Sequence, residues 1–216
     1  MEHTLTVDTP EVDNWVRDLL DRAGIVLHTV EGYAVRDGAV TALLERRRSS
    51  VNVRAWSGEE VAEELTYEHT FSSWRARWTL ARRLDVPLYV VLWREDGVRF
   101  RVVFSVARCE GGALSLGEEE LFDSCEALAA WMARLKGMPV SKGFVERGRL
   151  GRIDRCLQEQ GVPWPGNLDG FLFDPLGEQI GAIVEFSRTR KARVAEHDVN
   201  RYYRQDVNRW RPLDIL

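Results

Sequence analysis

The sequence is short of the side chains and spacings from which several common chemistries are built. It holds three cysteines, Cys109, Cys125 and Cys156, far apart and odd in number. Such spacing offers neither a disulfide framework nor a zinc site, so free or buried thiols in a reducing cytoplasm are expected. No apolar run approaches the ~18 residues that a membrane span needs. The stretch Met1 to Pro10 is polar and acidic, unlike a secretory signal. A Gly-rich phosphate loop, a GxSxG elbow and an HExxH pair are all missing, which sets aside the chemistries those motifs carry. His197 has no histidine or cysteine at metal-ligand spacing and reads as a helix-start residue.

What is present describes a globular protein. The chain has 216 residues, 44% hydrophobic and 30% charged, enough for one large domain or two small ones around a packed core. The net charge of −4 argues against general affinity for nucleic acid. It is unevenly spread, with 17 basic against 23 acidic residues up to position 140 and 13 against 11 beyond it. A local basic stripe in the second part remains compatible with that balance.

Periodicity gives an alternation of helices and strands. Trp15, Val16, Leu19 and Leu20 predict a helix over 11–23, stopped by Gly24. Strands are expected over 25–35, 39–45 and 51–56, with Asp37-Gly38 turning the first into the second. Ser57-Gly58-Glu59-Glu60 is a capping box opening a helical stretch to about Leu84 that breaks near Thr70. Strands follow at 88–93 and 98–106. Asp123 to Glu126 caps a helix closed by Gly137 and Pro139, and a short helix spans 150–160. A last helix, rich in Arg and aromatics, is predicted over 194–210. The fold class is α/β or α+β, with mixed sheets flanked by helices. Three parts are expected: a unit over 1–110, a connecting loop and helix over 111–140, and a unit over 141–216.

The two units echo each other. Leu20 to Ile25 parallels Leu157 to Val162, and Ala42-Leu43-Leu44-Glu45 parallels Ala182-Ile183-Val184-Glu185. Each has a Glu-His pair at the start of an Arg-rich helix, Glu68-His69 and Glu196-His197. A duplication with insertions, and chance likeness of two α/β units, both account for this.

The segment richest in chemistry is Asn167 to Ser187. It predicts two short strands joined by a turn, with Asp169 early in the first and Glu185 late in the second. Carboxylates on adjacent strands suit a hard divalent cation. The pattern Asp169, Glu185-Phe186-Ser187, preceded by a helix and followed by a polar one, resembles the PD-(D/E)XK nuclease superfamily across about 150–210. The resemblance implies a restriction-endonuclease-like core, with Asp169 and Glu185 as ligands of Mg²⁺ (Mn²⁺ as substitute) and Glu159 as an auxiliary acid. It further implies a metal-activated water attacking a DNA phosphodiester. Two positions depart from the family pattern: Leu168 replaces the proline, and Ser187 replaces the lysine. Strand alternation places Lys191 on the face of Glu185 and Ser187, so Lys191 or Ser187 would stand near the water. Arg188, Arg190, Arg201 and Arg204 are the candidate phosphate contacts.

Two readings follow. One is a metal-dependent nuclease acting on DNA in defence, repair or mobile-element biology. The other is an inactive binding or assembly module on the same fold, such as an immunity-type protein or complex subunit, with a protein partner or a second copy. In the first unit Asp37, Glu45 and Arg47 echo the acid pair but read as surface hairpin charges. The helix carrying Trp74, Arg75, Arg77, Trp78, Arg82 and Arg83 reads as amphipathic, tryptophans inside and arginines outside.

Overall fold

The computed structural model of the chain describes residues 22, 26–48, 57–68, 70–93, 100–105, 113–117, 119–138 and 151–184. Within them, β2 (Gly32–Arg36) and β3 (Ala39–Arg48) form a hairpin. Its turn is Asp37-Gly38, with φ of 54° and 80°. Positive φ at both central residues is the two-residue turn that follows strand twist, which is why Asp-Gly marks it in the sequence. β3 then crosses through α1 (Gly58–Glu68) and α2 (Phe71–Arg83) to β4 (Leu88–Trp93), which pairs with it in parallel. β5 (Phe100–Ser105) and β6 (Glu119–Phe122) continue antiparallel, giving a five-stranded mixed sheet in the order β2-β3-β4-β5-β6.

A second sheet, β1-β7-β8, is antiparallel throughout. It consists of β1 (Leu27–Val30), β7 (Leu168–Asp174) and β8 (Gln179–Val184). The predicted strand over 25–35 is thus two strands in two sheets, broken at Glu31. Pairing of β1 with β7 joins residues from the first and last of the three expected parts.

Local chemistry closes the starts of α1 and α3 (Cys125–Lys136). Ser57 and Glu60 make the reciprocal capping box: Glu60 N–H donates to Ser57 Oγ at 3.2 Å, and Ser57 N–H to the Glu60 carboxylate at 2.7 Å. The break at Thr70 separates α1 from α2 as expected. α3 is capped by Ser124, whose side chain accepts from Ala127 N–H, and ends on left-handed Gly137. α4 (Arg152–Glu159) is a short link before β7.

Helices cover both faces of the larger sheet. Leu43, Leu88, Val90 and Leu92 pack with Val61, Leu65, Trp74 and Leu80 of α1 and α2, and with Phe171 and Phe173 of β7. Their neighbours Leu44, Val91 and Trp93 face the other way, against Leu128, Trp131 and Met132 of α3 and Ile153 and Leu157 of α4. This alternation, apolar on both faces, is why 88–93 reads as one continuous hydrophobic run.

One expectation needs correction here, and one strand was not foreseen. Cys125 and Cys156 form a disulfide with Cα atoms 5.6 Å apart; α3 and α4 pack side by side and bring together cysteines 31 residues apart in the chain. β6 was not foreseen, because Glu119, Glu120 and Leu121 are exposed on an edge and carry no hydrophobic pattern. Apart from Arg22, which is helical, the predicted helix over 11–23 lies outside the described residues, as do the helix over 194–210 and the strand over 51–56. No helix among the described residues is long and apolar enough to cross a membrane.

Candidate functional site: a buried charged joint between two sheets

The chain leaves the smaller sheet and enters the larger at Glu31, so the backbone groups of Glu31 take side-chain partners. Its N–H donates to Glu45 Oε1 at 3.2 Å, and its carbonyl accepts from Trp164 Nε1 at 2.9 Å. The close approach of Trp164 dictates the next residue. A Cβ on Gly32 would lie 2.8 Å from Trp164 Nε1.

Glu45 sits on β3 and is fully buried, 0% exposed. A bare carboxylate there would be expensive, and the surroundings answer with cations. Arg77 Nε donates to Glu45 Oε1 at 3.1 Å, and Arg47 Nη2 donates to Oε2 at 2.8 Å. Arg47 Nη1 reaches Glu31 Oε1 at 3.2 Å, so one guanidinium bridges both acids. Glu31 Oε2 accepts from the Arg46 N–H at 2.9 Å, while Arg46 Nη1 pairs with Asp154 of α4 at 2.5 Å. Arg77 also donates to the Thr29 carbonyl at 2.9 Å and to Ser73 Oγ at 2.6 Å. The guanidiniums of Arg77 and Arg47 lie over the Trp74 ring, and that of Arg46 lies over Trp164. Three carboxylates thus balance three guanidiniums at the point where α2, α4 and both sheets meet.

The electrostatics follow from the burial. Desolvation pushes the Glu45 carboxyl above its ordinary value, and the Arg77 and Arg47 guanidiniums oppose that rise. Desolvation likewise lowers Arg77, with Glu45 opposing. His28 on β1 is buried against Phe171 and Phe173; burial and then the Arg77 charge lower its pKa to about 4, so it is neutral at pH 7.

Chemically, both Glu45 oxygens already accept charge-assisted or backbone hydrogen bonds. A divalent cation entering here would have to displace guanidiniums. Among the described residues no three His, Cys, Asp or Glu side chains come together as a metal-ready group.

The residues expected from the sequence fall into three sets. Asp169 is half-buried on β7 and accepts from Asn167 Nδ2 at 3.0 Å, while Glu159 is exposed at the last position of α4. Glu185, Ser187, Arg188, Arg190, Lys191, His197, Arg201 and Arg204 lie outside the described residues; pairing of β7 with β8 is described as far as Gly170 with Val184. The first-unit charges are corrected. Asp37 is in the hairpin turn, far along the register from Glu45, and Glu45 is core rather than surface. Arg77 is buried too, 3% exposed, because Glu45 needs a counter-charge on the facing helix.

Glu31, Arg46 and Asp154 were missed. One signal for Glu31 stood in the sequence: Glu31 and Glu45-Arg46-Arg47 are spaced nearly as Asp169 and Glu185-Phe186-Ser187 are. No protein-family model matches this chain, and neither the curated proteins nor the solved structures yield a match.

Proposed function

We propose that this chain is a non-catalytic binding or assembly module on a nuclease-like α/β frame, of the immunity-type or complex-subunit kind, working in the cytoplasm with a protein partner. One observation carries this reading. On β3, an acid placed where a nuclease-like strand would present a metal ligand is instead buried and held by Arg77 and Arg47. Arg47 stands two residues past that acid, where a lysine would serve catalysis, and its planar fork ties the acids together instead. The net charge of −4 and the exposed Glu59, Glu60 and Glu63 of α1 fit a basic protein partner better than a phosphate backbone.

The second reading is a Mg²⁺- or Mn²⁺-dependent nuclease acting on DNA, alone or as a homodimer. It is favoured by the β7–β8 hairpin, which carries Asp169 on one strand and runs on the other to Val184, next in sequence to Glu185. Incubation of the purified chain with double- and single-stranded DNA in Mg²⁺ or Mn²⁺ separates the two. The module reading expects no cleavage above buffer. Cleavage that disappears in Asp169→Ala and Glu185→Ala would replace it with the nuclease.

A further inference from the structure

We infer that Cys125 and Cys156 form a reversible dithiol–disulfide clasp, a site of thiol–disulfide exchange that controls how firmly α4 is held. The pair joins the first residue of α3 to the buried face of α4. Cys125 is only half-buried, so a small thiol or disulfide can reach it.

α4 is the element that depends on such a tether. It is eight residues long, and its N-cap, Gly151, provides no side-chain hydrogen bond. A helix this short does not hold itself in water and rests on tertiary contacts. Those contacts are Ile153 and Leu157 in the core against α3, the Asp154–Arg46 ion pair, and the disulfide. Downstream of α4 the chain passes through buried Val162 and through Trp164, which holds the Glu31 carbonyl, into β7. The clasp therefore sits at the head of the segment that steadies the joint between the sheets.

The exchange balances with a low-molecular-weight disulfide such as oxidised glutathione. The two protein thiols lose two protons and two electrons and form one S–S bond; the small disulfide takes them up and leaves as two thiols. In the reverse direction the small thiolate attacks one sulfur of the pair. The accessible sulfur is that of half-buried Cys125, so the thiolate forms a mixed disulfide there and buried Cys156 leaves; a second small thiol then frees Cys125 and departs as the small disulfide.

The test equilibrates the full chain in glutathione buffers from reducing to oxidising, then reads non-reducing peptide mass mapping and amide hydrogen exchange. The oxidised chain should give a Cys125–Cys156 crosslink and an alkylatable Cys109. Reduction should raise exchange over 152–160 by about tenfold or more while β3 and β4 stay unchanged, and re-oxidation should restore protection. The Cys109→Ser variant should behave identically. Cys125→Ser/Cys156→Ser should exchange like the reduced chain at every poise. No crosslink at any poise would overturn the inference. So would a crosslink whose reduction leaves α4 equally protected, or a variant lacking both cysteines that still responds; if that variant does not fold, the Cys109→Ser chain decides alone.

Discussion

Arg77 Nε lies 3.1 Å from Glu45 Oε1, one charge on the crossover helix and the other on the strand beneath it, both closed to solvent. The pair fixes α2 on the sheet at the point where the chain switches sheets. Such a pair is weak evidence of net stabilisation, since desolvation opposes the attraction, but breaking it leaves an uncompensated buried charge.

Glu45→Ala should therefore cost about 3–5 kcal/mol in urea unfolding. Glu45→Leu combined with Arg77→Met should cost less than either single change, because no unmatched charge remains between them. A single-variant loss within ~0.5 kcal/mol of wild type would mean that water reaches the pair and that the joint is held by packing alone.

His28 gives the joint a pH dependence. Its folded pKa, about 4, lies below the ordinary 6.5, so between these values the unfolded chain binds the extra proton. Stability from this group is complete above pH 6.5 and is lost as pH falls toward 4, by about 3 kcal/mol in all. Unfolding curves of wild type and His28→Gln at pH 7.5, 6, 5 and 4.5 should converge as the pH drops. Parallel curves would place the histidine in water.

The exposed end of the same network should respond weakly. Arg46 and Asp154 retain 32% and 24% side-chain exposure, so solvent screens them. Asp154→Asn should cost under ~1 kcal/mol, against several for Glu45→Ala. A loss as large as that of Glu45→Ala would show Asp154 to be as essential to the joint as the buried acid.

β7 approaches β1 closely at Gly170, where a Cβ would meet the Leu27 side chain at 2.5–2.8 Å. Gly170→Ala should lower stability by about 1–3 kcal/mol, the range for overpacking. Because the obstacle is a side chain, Gly170→Ala/Leu27→Ala should lose less than the sum of the two single losses. Strict additivity in unfolding free energies would count against the contact.

The elements legible in the sequence were those whose signal is local. Asp37-Gly38 announced a hairpin, Ser57 and Glu60 a helix start, and Leu88 to Trp93 a strand buried on both faces. The hairpin carrying Asp169 was legible for the same reason. What depends on tertiary pairing was not. Nothing in Val30-Glu31-Gly32 says that the chain changes sheets there, because either side of the break has strand character. Glu45 looked like a surface charge because its counter-charge, Arg77, is 32 residues away on a helix whose tryptophans alone suggested an inner face. The disulfide was hidden likewise, since only the packing of α3 against α4 brings Cys125 to Cys156.

Arg47→Lys bears on both the joint and the function. Arg47 spans two carboxylates, Nη1 on Glu31 at 3.2 Å and Nη2 on Glu45 at 2.8 Å. An ammonium is a point charge on a flexible stem and cannot hold both in that planar geometry. The substitution introduces a lysine two positions past the acid, but it leaves Arg77 on Glu45. The variant should lose about 1–3 kcal/mol, as expected for a charge-assisted bond given up in a buried site. It should also bind no Mn²⁺ in calorimetry and cleave no DNA, because Glu45 still has its guanidinium and its backbone donor. Metal-dependent cleavage appearing in Arg47→Lys would mean that the β3 acids form a catalytic site closed by one residue, and the binding-module reading would give way to a nuclease built on the first half of the chain.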